Sequence, residues 1–424
     1  MIPSPYTEKS LKQEFRVGDS GRWKIDVEAN IDAITQSAHA RATSVLPTLT
    51  IKSKLDHSGK TLYFASDIET ALILRATYRR LAHQYSVTLP NRDDILNGIV
   101  EATSEASPYL VTKCDILDFY GNLNAKPIIT NILSSTRTSP ELKAVIDAIY
   151  KAAGLSRSVA PRGLSISALI AELALKDFDQ KVRRIPGVHR YFRYADDIIA
   201  FSTPNTSVVS LITKYLNSMG LSLNDKTELI TIDSQKKSEI LTQEQREFTY
   251  LGYEFSAFRQ VGTFCSRKFQ VSIAPTKVLK RKTRAFTALH AFSKDGDASL
   301  LVDRLKYLTT NRQVYKTRHS RGSRKQKIRT GMHYNYAKCG TYPEVKRGRT
   351  RDEHNPVELI KLDVALHTAL FSLNSDFNVL IRALPIDVLD ELSSISFAQG
   401  FKKRIMKRFT RKRVGQICRV WGNE

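Results

Sequence analysis

The chain has 424 residues, 42% of them hydrophobic, and sets 66 Lys and Arg against 42 Asp and Glu for a formal charge of +24. That length exceeds one average domain and predicts two or three lobes with a sizeable core, while the charge excludes a surface indifferent to polyanions, of which nucleic acid is the commonest. No apolar run reaches the roughly 18 residues that crossing a bilayer needs, so no membrane partner is expected.

The opening MIPSPYTEKSLKQEF lacks the charged-then-apolar design of a signal peptide. Cys114, Cys265, Cys339 and Cys418 have neither paired spacing nor a nearby histidine pattern, and read as reduced thiols of a cytoplasmic protein, not as zinc ligands or disulfides.

In chain order, residues 46–65 predict two strands joined by a turn at His57-Ser58-Gly59. Residues 67–85 predict a helix capped by Asp67, and 92–104 another. YLVTKCDILDFY (109–120) reads as a buried strand running into a polar loop. Helices are expected over 139–153 and 165–184. RYFRYADDIIAFS then reads as strand, acidic turn, strand, followed by a helix at 206–219, a strand near 226–232 and a hairpin about Gly252 in FTYLGYEFS. Past about 275 helices dominate (276–292, 297–309, 356–424), interrupted by a basic, glycine-containing stretch at 311–351. A soft boundary at 270–276, where Pro275 interrupts, divides the chain into 1–95, 96–275 and a helical, basic 276–424.

Two adjacent aspartates in a turn are ordinarily just a turn. Between two apolar strands, as in Tyr194-Ala195-Asp196-Asp197-Ile198-Ile199, they make poor structure unless they act. Two-metal phosphoryl transfer requires two or three carboxylates converging from different strands. Alternation of strand side chains gives the direct role to Asp196, a supporting role to Asp197, and the opposing carboxylate to Asp115.

Several motifs in order resemble those of reverse transcriptases. Tyr194-Ala195-Asp196-Asp197 is similar to motif C, and Cys114 to Tyr120 to motif A. Arg162 to Ala168 resembles motif B, Gly220 to Thr227 motif D, and Phe248 to Tyr253 motif E, the primer grip. The resemblance implies an α+β right-hand polymerase with an N-terminal region and fingers (1–95), a palm built on an antiparallel sheet (96–275), and a helical thumb with a basic, mostly helical C-terminal extension (276–424). It implies two Mg²⁺ ions, with Mn²⁺ a substitute, held by Asp115, Asp196, Asp197 and the backbone carbonyl of Ile116. It further implies nucleotide contacts from Asp118, Phe119, Tyr120 as steric gate, Arg162, Gly163, Ser167 and Lys226, and a primer grip at Tyr250, Leu251 and Gly252. Motif B departs from the pattern: Arg162 stands at the usual Gln and Ser165 at the usual Pro. The fingers arginine expected after Gly59-Lys60 is missing, which leaves triphosphate binding to Lys52, Lys54, Lys60 or Arg75.

The stretch PRGLSISALIAELALKDFD…GVHRYFRYADDIIAFS resembles most the bacterial antiviral reverse transcriptases, in particular the second enzyme of the paired, type-three defence-associated systems. That resemblance implies DNA synthesis from dNTPs in antiphage defence, a companion reverse transcriptase or homo-oligomer, and a non-coding RNA or DNA product as nucleic-acid partner. Alternatives are a retron or mobile-element enzyme copying a dedicated RNA, and a non-catalytic RNA-binding scaffold. Two basic runs, one including Arg321, Arg324, Lys325 and Lys327 and the other Lys402, Lys403, Lys407 and Arg408, are expected to bind nucleic acid. Their alternative is a solvated charged face. Tyr334 and Tyr336 are open between stacking on bases and core packing.

Overall fold

The computed structural model describes residues 4–16, 19–56, 58–105, 107–232, 247–259, 267–317, 325–342 and 356–422. The chain forms two compact units. One comprises 1–95, 109–231 and 317–325, the other 96–108, 232–316 and 326–424.

The first unit begins with α1 (Glu8–Lys12), α2 (Asp19–Trp23) and α3 (Val27–Thr43), then the antiparallel hairpin β1 (Ile51–Leu55) and β2 (Thr61–Ala65). α4 (Ile68–Gln84) follows, started by the Asp67 carboxylate, which accepts from the Thr70 N–H at 2.7 Å as an N-cap should. The boundary between units falls within α5 (Arg92–Thr103). Then come β3 (Tyr109–Asp115), α6 (Phe119–Asn122), α7 (Lys126–Ser134), α8 (Pro140–Ala153), α9 (Ser165–Arg183), β4 (Val188–Tyr194), β5 (Asp197–Ser202), α10 (Val208–Asn217) and β6 (Glu228–Ile232).

The central sheet has the order β4-β5-β3-β6, with β5 antiparallel to both neighbours. Isoleucines and small residues in the middle of β5 (Ile198, Ile199, Ala200) are fully buried, which is why that strand runs apolar and does not alternate. Leu175, Phe178 and Val182 line one face of α9 at helical spacing and pack into the same core, each contributing roughly 1.5–3 kcal/mol of burial. The α+β class and the antiparallel sheet carrying the aspartates are as expected.

The second unit holds the sheet β12-β9-β8-β7, made of β7 (Glu247–Tyr250), β8 (Tyr253–Arg259), β9 (Arg267–Ile273) and β12 (Gly340–Tyr342). Pro275 does not break structure; it is the first residue of α11 (Pro275–Asp295), where its missing N–H costs nothing. α12 (Ala298–Thr309) runs into a strand pair unforeseen in the basic stretch, β10 (Asn311–Thr317) with β11 (Lys325–Gly331), and then α13 (Met332–Asn335). Helices α14 (Val357–Phe371), α15 (Asn378–Arg382), α16 (Ile386–Ser393), α17 (Phe397–Lys402) and α18 (Arg411–Arg419) complete it. Among the described residues no helix is long and apolar enough to cross a membrane.

Candidate active site

β3 ends at Asp115, and its register with β5 pairs Cys114 with Ile198 and Asp115 with Asp197. Directly opposed residues of an antiparallel pair share a face. Asp197 is therefore the cross-strand neighbour of Asp115 and is not turned away from it, which corrects the simple alternation argument. Asp196 lies outside the strands, in the two-residue turn between Tyr194 and Asp197. Ala195 takes φ 57° there, a conformation that L residues seldom adopt. The turn is tied to motif A, since the Ile116 N–H donates to the Asp196 carbonyl at 3.3 Å.

The carboxylates repel one another. Asp115 is held above its ordinary pKa by burial and then by Asp196, against the opposing pull of Lys226, Lys113 and Lys60. Asp197 is pushed up to about 6 by burial, then by Asp115 and Asp196. A divalent cation relieves that strain, and hard carboxylate and carbonyl oxygens suit Mg²⁺ or Mn²⁺. Among the described residues no three His, Cys, Asp or Glu side chains chelate an ion by themselves. Asp115, Asp196, Asp197 and the Ile116 carbonyl thus fit such ions as an incomplete donor set. Asn224, which the motif reading passed over, fixes one donor: its N–H donates to the Asp115 carbonyl at 2.9 Å, and its side-chain amide donates to the Asp115 carboxylate.

A second group missed in the sequence lies under the catalytic hairpin. Arg193 is buried, and its guanidinium donates to both oxygens of Asp179 at 2.9 Å. It also reaches both oxygens of Glu172 at 3.1 and 2.8 Å, and the Ala195 carbonyl at 2.9 Å. Tyr191 donates its hydroxyl to Asp179 at 2.7 Å. Glu172 and Asp179 are seven residues apart on α9, two turns along one face. The available signal was that spacing, together with an arginine three residues before an acidic turn.

The nucleotide-contact candidates divide. Lys60, at the end of the β1–β2 turn, forms an ion pair with Asp118, which opens α6 at φ 39°. In the same turn Asp56 is held down at about 2 by the Ser58 hydroxyl and the Lys60 N–H, and lies 3.6 Å from Arg162. The Tyr63 N–H donates to the Arg162 carbonyl at 2.7 Å. Gly163, at φ 97°, permits this approach, because a Cβ there would stand 2.6 Å from the Tyr63 carbonyl oxygen. The β1–β2 hairpin, the Asp118 end of α6 and the 162–163 loop are therefore joined. Tyr120 is half-buried beside the site, its pKa raised by burial first and then by Asp196 and Glu172. Lys226 is exposed and acts on Asp115.

Three candidates have other roles. Arg75 is buried and bound through both Nη atoms to Asp19 at 2.7 and 2.9 Å, with a further bond to the Glu14 carbonyl. That pairing removes it from triphosphate binding and makes it the anchor of the N-terminal helices. The Phe119 ring is core, tilted against Tyr120 at 5.1 Å. Ser167 is buried and donates to the Pro161 carbonyl at 2.5 Å, shaping the motif B loop and not facing substrate.

In the second unit the turn expected to be a primer grip joins β7 to β8 with Leu251 at φ 47° and Gly252 at φ 82°. Tyr250 is buried. Arg321 and Arg324 lie outside the described residues, as do the side chains of Lys325 and Lys327. Lys402, Lys403 and Arg408 are exposed and Lys407 half-buried. The run is not one helical face: α17 ends at Lys402, α18 begins at Arg411, and the Lys407 N–H donates to the Asn311 carbonyl at 2.8 Å. Tyr336 is core, edge-on to Tyr253 at 5.8 Å, whereas Tyr334 is half-buried under Arg329.

Paired strands presenting Asp115 and Asp197, with Asp196 in the adjoining turn and Tyr120 beside them, bring three carboxylates together. Residues 67–255 match the family model described as reverse transcriptase (RNA-dependent DNA polymerase). No curated protein matches the chain. Among solved structures it is similar to telomerase from Candida albicans in complex with the TWJ fragment of telomeric RNA, at 14% identity and a TM-score of 0.33. That similarity covers 61% of this chain and 52% of the other, so the chain spans about half the length of that relative.

Proposed function

We propose that the protein is an RNA-directed DNA polymerase that makes DNA from dNTPs in antiphage defence, working with a companion reverse transcriptase or a second copy and a dedicated non-coding RNA. The pairing of Asp115 with Asp197 across β3 and β5, with Asp196 in the adjoining turn, is the observation that carries the catalytic part. The defence role, the companion and the RNA rest on the resemblance of 161–202 to antiviral reverse transcriptases.

Asp115, Asp196, Asp197 and the Ile116 carbonyl would hold two Mg²⁺ ions, which Mn²⁺ replaces. Bound there, the ions supply charge stabilisation for in-line attack of a hydroxyl on the α-phosphate. The chain's own residues do the positioning. Asn224 orients Asp115, Arg193 steadies the Asp196 turn, and Tyr120 closes the space beside the sugar. Lys60, paired with Asp118, is the triphosphate ligand; it exchanges Asp118 for phosphate oxygens when nucleotide enters.

Asp115→Asn or Asp196→Asn should lower incorporation by about 10³-fold or more, since several kcal/mol of transition-state stabilisation are lost. Single-nucleotide incorporation with Mg²⁺, alongside a thermal melt, checks this; near-wild-type rates in a folded variant would sink the catalytic assignment. Tyr120→Ala should admit ribonucleotides while leaving deoxynucleotide use within about tenfold, because only a ring excludes the extra hydroxyl. Equal use of both sugars by the wild type would dismiss the gate.

A further inference from the structure

Several cations of the first unit face a carboxylate. Lys12 pairs with Asp32, Arg41 with Asp67 at 3.3 Å, and Arg157 with Asp147 at 2.7 Å. The stretch KVRRIPGVHR (181–190), which carries the end of α9 into β4, is built otherwise. Lys181, Arg183, Arg184 and Arg190 are all exposed, and among the described residues none of the four forms an ion pair. Asp179, the acid nearest in sequence, is taken by Arg193 and Tyr191. Asp177, exposed one turn before Lys181, pairs with none of them.

The fold gathers these cations at one place. The Val188 N–H donates to the Ile185 carbonyl at 3.0 Å, closing the turn that sends the chain back from α9 as β4. Arg183 lies over the Tyr191 ring at 5.3 Å, which sets the last turn of the helix against the strand beside Arg190. Lys181 lies over Tyr215 of α10 at 5.8 Å. The rings steady the two stems while both residues stay exposed. Lys181, Arg183 and Arg184 make no side-chain hydrogen bond among the described residues, so their donors are left to solvent. Arg190 uses one N–H on the His189 carbonyl at 3.2 Å. From Arg190 the hairpin runs six residues to Asp196, roughly 20 Å at about 3.3 Å per residue.

A solvated helix end accounts for part of this. Cations in a last turn gain about 0.3–1 kcal/mol from the unsatisfied carbonyls, which covers Lys181 and Arg183. It does not cover Arg190, which belongs to a strand, and four like charges about one turn repel one another. A protein partner fits less well, because the centre of a protein interface is apolar. Between Val159 and Tyr194 no large hydrophobic side chain is exposed among the described residues. A purely cationic surface with free N–H donors suits phosphate oxygens instead.

We propose that Lys181, Arg183, Arg184 and Arg190 form an anchoring surface for the phosphate backbone of RNA, at the end of the catalytic hairpin away from the carboxylates. The surface rests on the reading that the chain handles nucleic acid, and adds a place where RNA is held apart from the site of synthesis. Phosphate contacts position a strand without reading its bases, so binding here follows charge and not sequence. Each phosphate taken up releases condensed counterions.

The full chain is titrated with a fluorescent RNA hairpin, a second hairpin of scrambled sequence and a DNA duplex, across a salt series. In Lys181→Gln/Arg183→Gln/Arg184→Gln/Arg190→Gln, the log–log salt slope for RNA should flatten by about 2–3 and low-salt affinity should fall tenfold or more, at ~0.7 for each phosphate no longer neutralised. Lysine at the three arginine positions should keep most of the slope, because counterion release counts charges. If the quadruple variant melts well below wild type, Arg184→Gln/Arg190→Gln takes its place, with a slope change of about 1.4. An unchanged slope in a folded variant, a loss confined to the DNA duplex, or RNA affinity that differs between the two hairpins overturns the surface. So does polyglutamate binding that the variant loses as fully as RNA binding, which would assign the face to an acidic polypeptide. Two failures stay distinct. If Lys402→Glu/Lys403→Glu/Arg408→Glu alone flattens the slope, the nucleic-acid reading stands and this surface falls; if the wild type binds no RNA, both fall.

Discussion

Two hairpins carry the motifs that matter, β4–β5 in the first unit and β7–β8 in the second, and they are supported in opposite ways. Each turns through two residues and places a side-chain-bearing residue at positive φ, Ala195 in one and Leu251 in the other. Such strain of order 1–2 kcal/mol persists only where the surroundings impose it. Under β7–β8 the support is apolar: Phe248 and Phe255 stack at 4.9 Å, and Tyr250 and Tyr253 are buried. Under β4–β5 it is ionic, with Arg193 gripping Glu172, Asp179 and the Ala195 carbonyl. A turn that must display carboxylates gains from a buried cation behind it, whereas a turn that displays none does not. The contrast separates what holds a motif from what tunes it.

The largest expected effect breaks the ionic support. Arg193→Met strands Glu172 and Asp179 and should destabilise the protein by about 3–5 kcal/mol. Phe255→Ala should cost a similar ~3–5 kcal/mol through the cavity it leaves. The two should part in function. The Mg²⁺ concentration for half-maximal incorporation should rise severalfold with Arg193→Met and stay put with Phe255→Ala, both assayed at a temperature where the variants are folded. Adding Glu172→Gln and Asp179→Asn to Arg193→Met should recover stability without recovering the Mg²⁺ response. A parallel shift in the phenylalanine variant would remove the special role of the arginine.

The same contrast explains what was legible in the sequence. Apolar strands around Asp115 and Asp196-Asp197 announce themselves because burial dictates residue type along consecutive positions. The helices 67–85 and 165–184 do so by period, and Asp67 by its capping position. Arg193, Glu172 and Asp179 were not legible, because a buried ion pair looks like surface charge until the fold brings its members together. Arg75 shows the converse: a basic residue near a triphosphate site by motif spacing, yet committed to Asp19 from a segment with little signal of its own. Strands β10 and β11 were hidden because their sequence is basic and polar, the composition of a loop. The face of Asp197 depended on register, which alternation along one strand does not fix.

The smallest effect concerns Asp197 and has a definite sign. Its pKa in the folded, ion-free protein is about 6, against an ordinary 3.8, with burial the first cause and Asp115 and Asp196 the next. A carboxyl group raised in the fold favours the native state while protonated. Its contribution is complete below the unfolded value and disappears as pH climbs through the folded one. Ion-free protein should therefore lose stability from this residue between about pH 4 and pH 6, and stand at its weakest near neutrality, where the carboxylates repel most. Since the side chain is part-exposed, solvent screening reduces the shift to roughly 1 kcal/mol, or a Tm difference of about 1–3 °C. In EDTA, Asp197→Asn should melt above wild type near pH 7.5, and the gap should shrink at pH 5. Added Mg²⁺ should raise the wild-type Tm at pH 7.5 more than that of the variant, because it neutralises a repulsion the variant has already lost. A Tm gap that is the same at both pH values would mean that Asp197 carries no strained charge, and that the turn is held by packing as its counterpart in the second unit is.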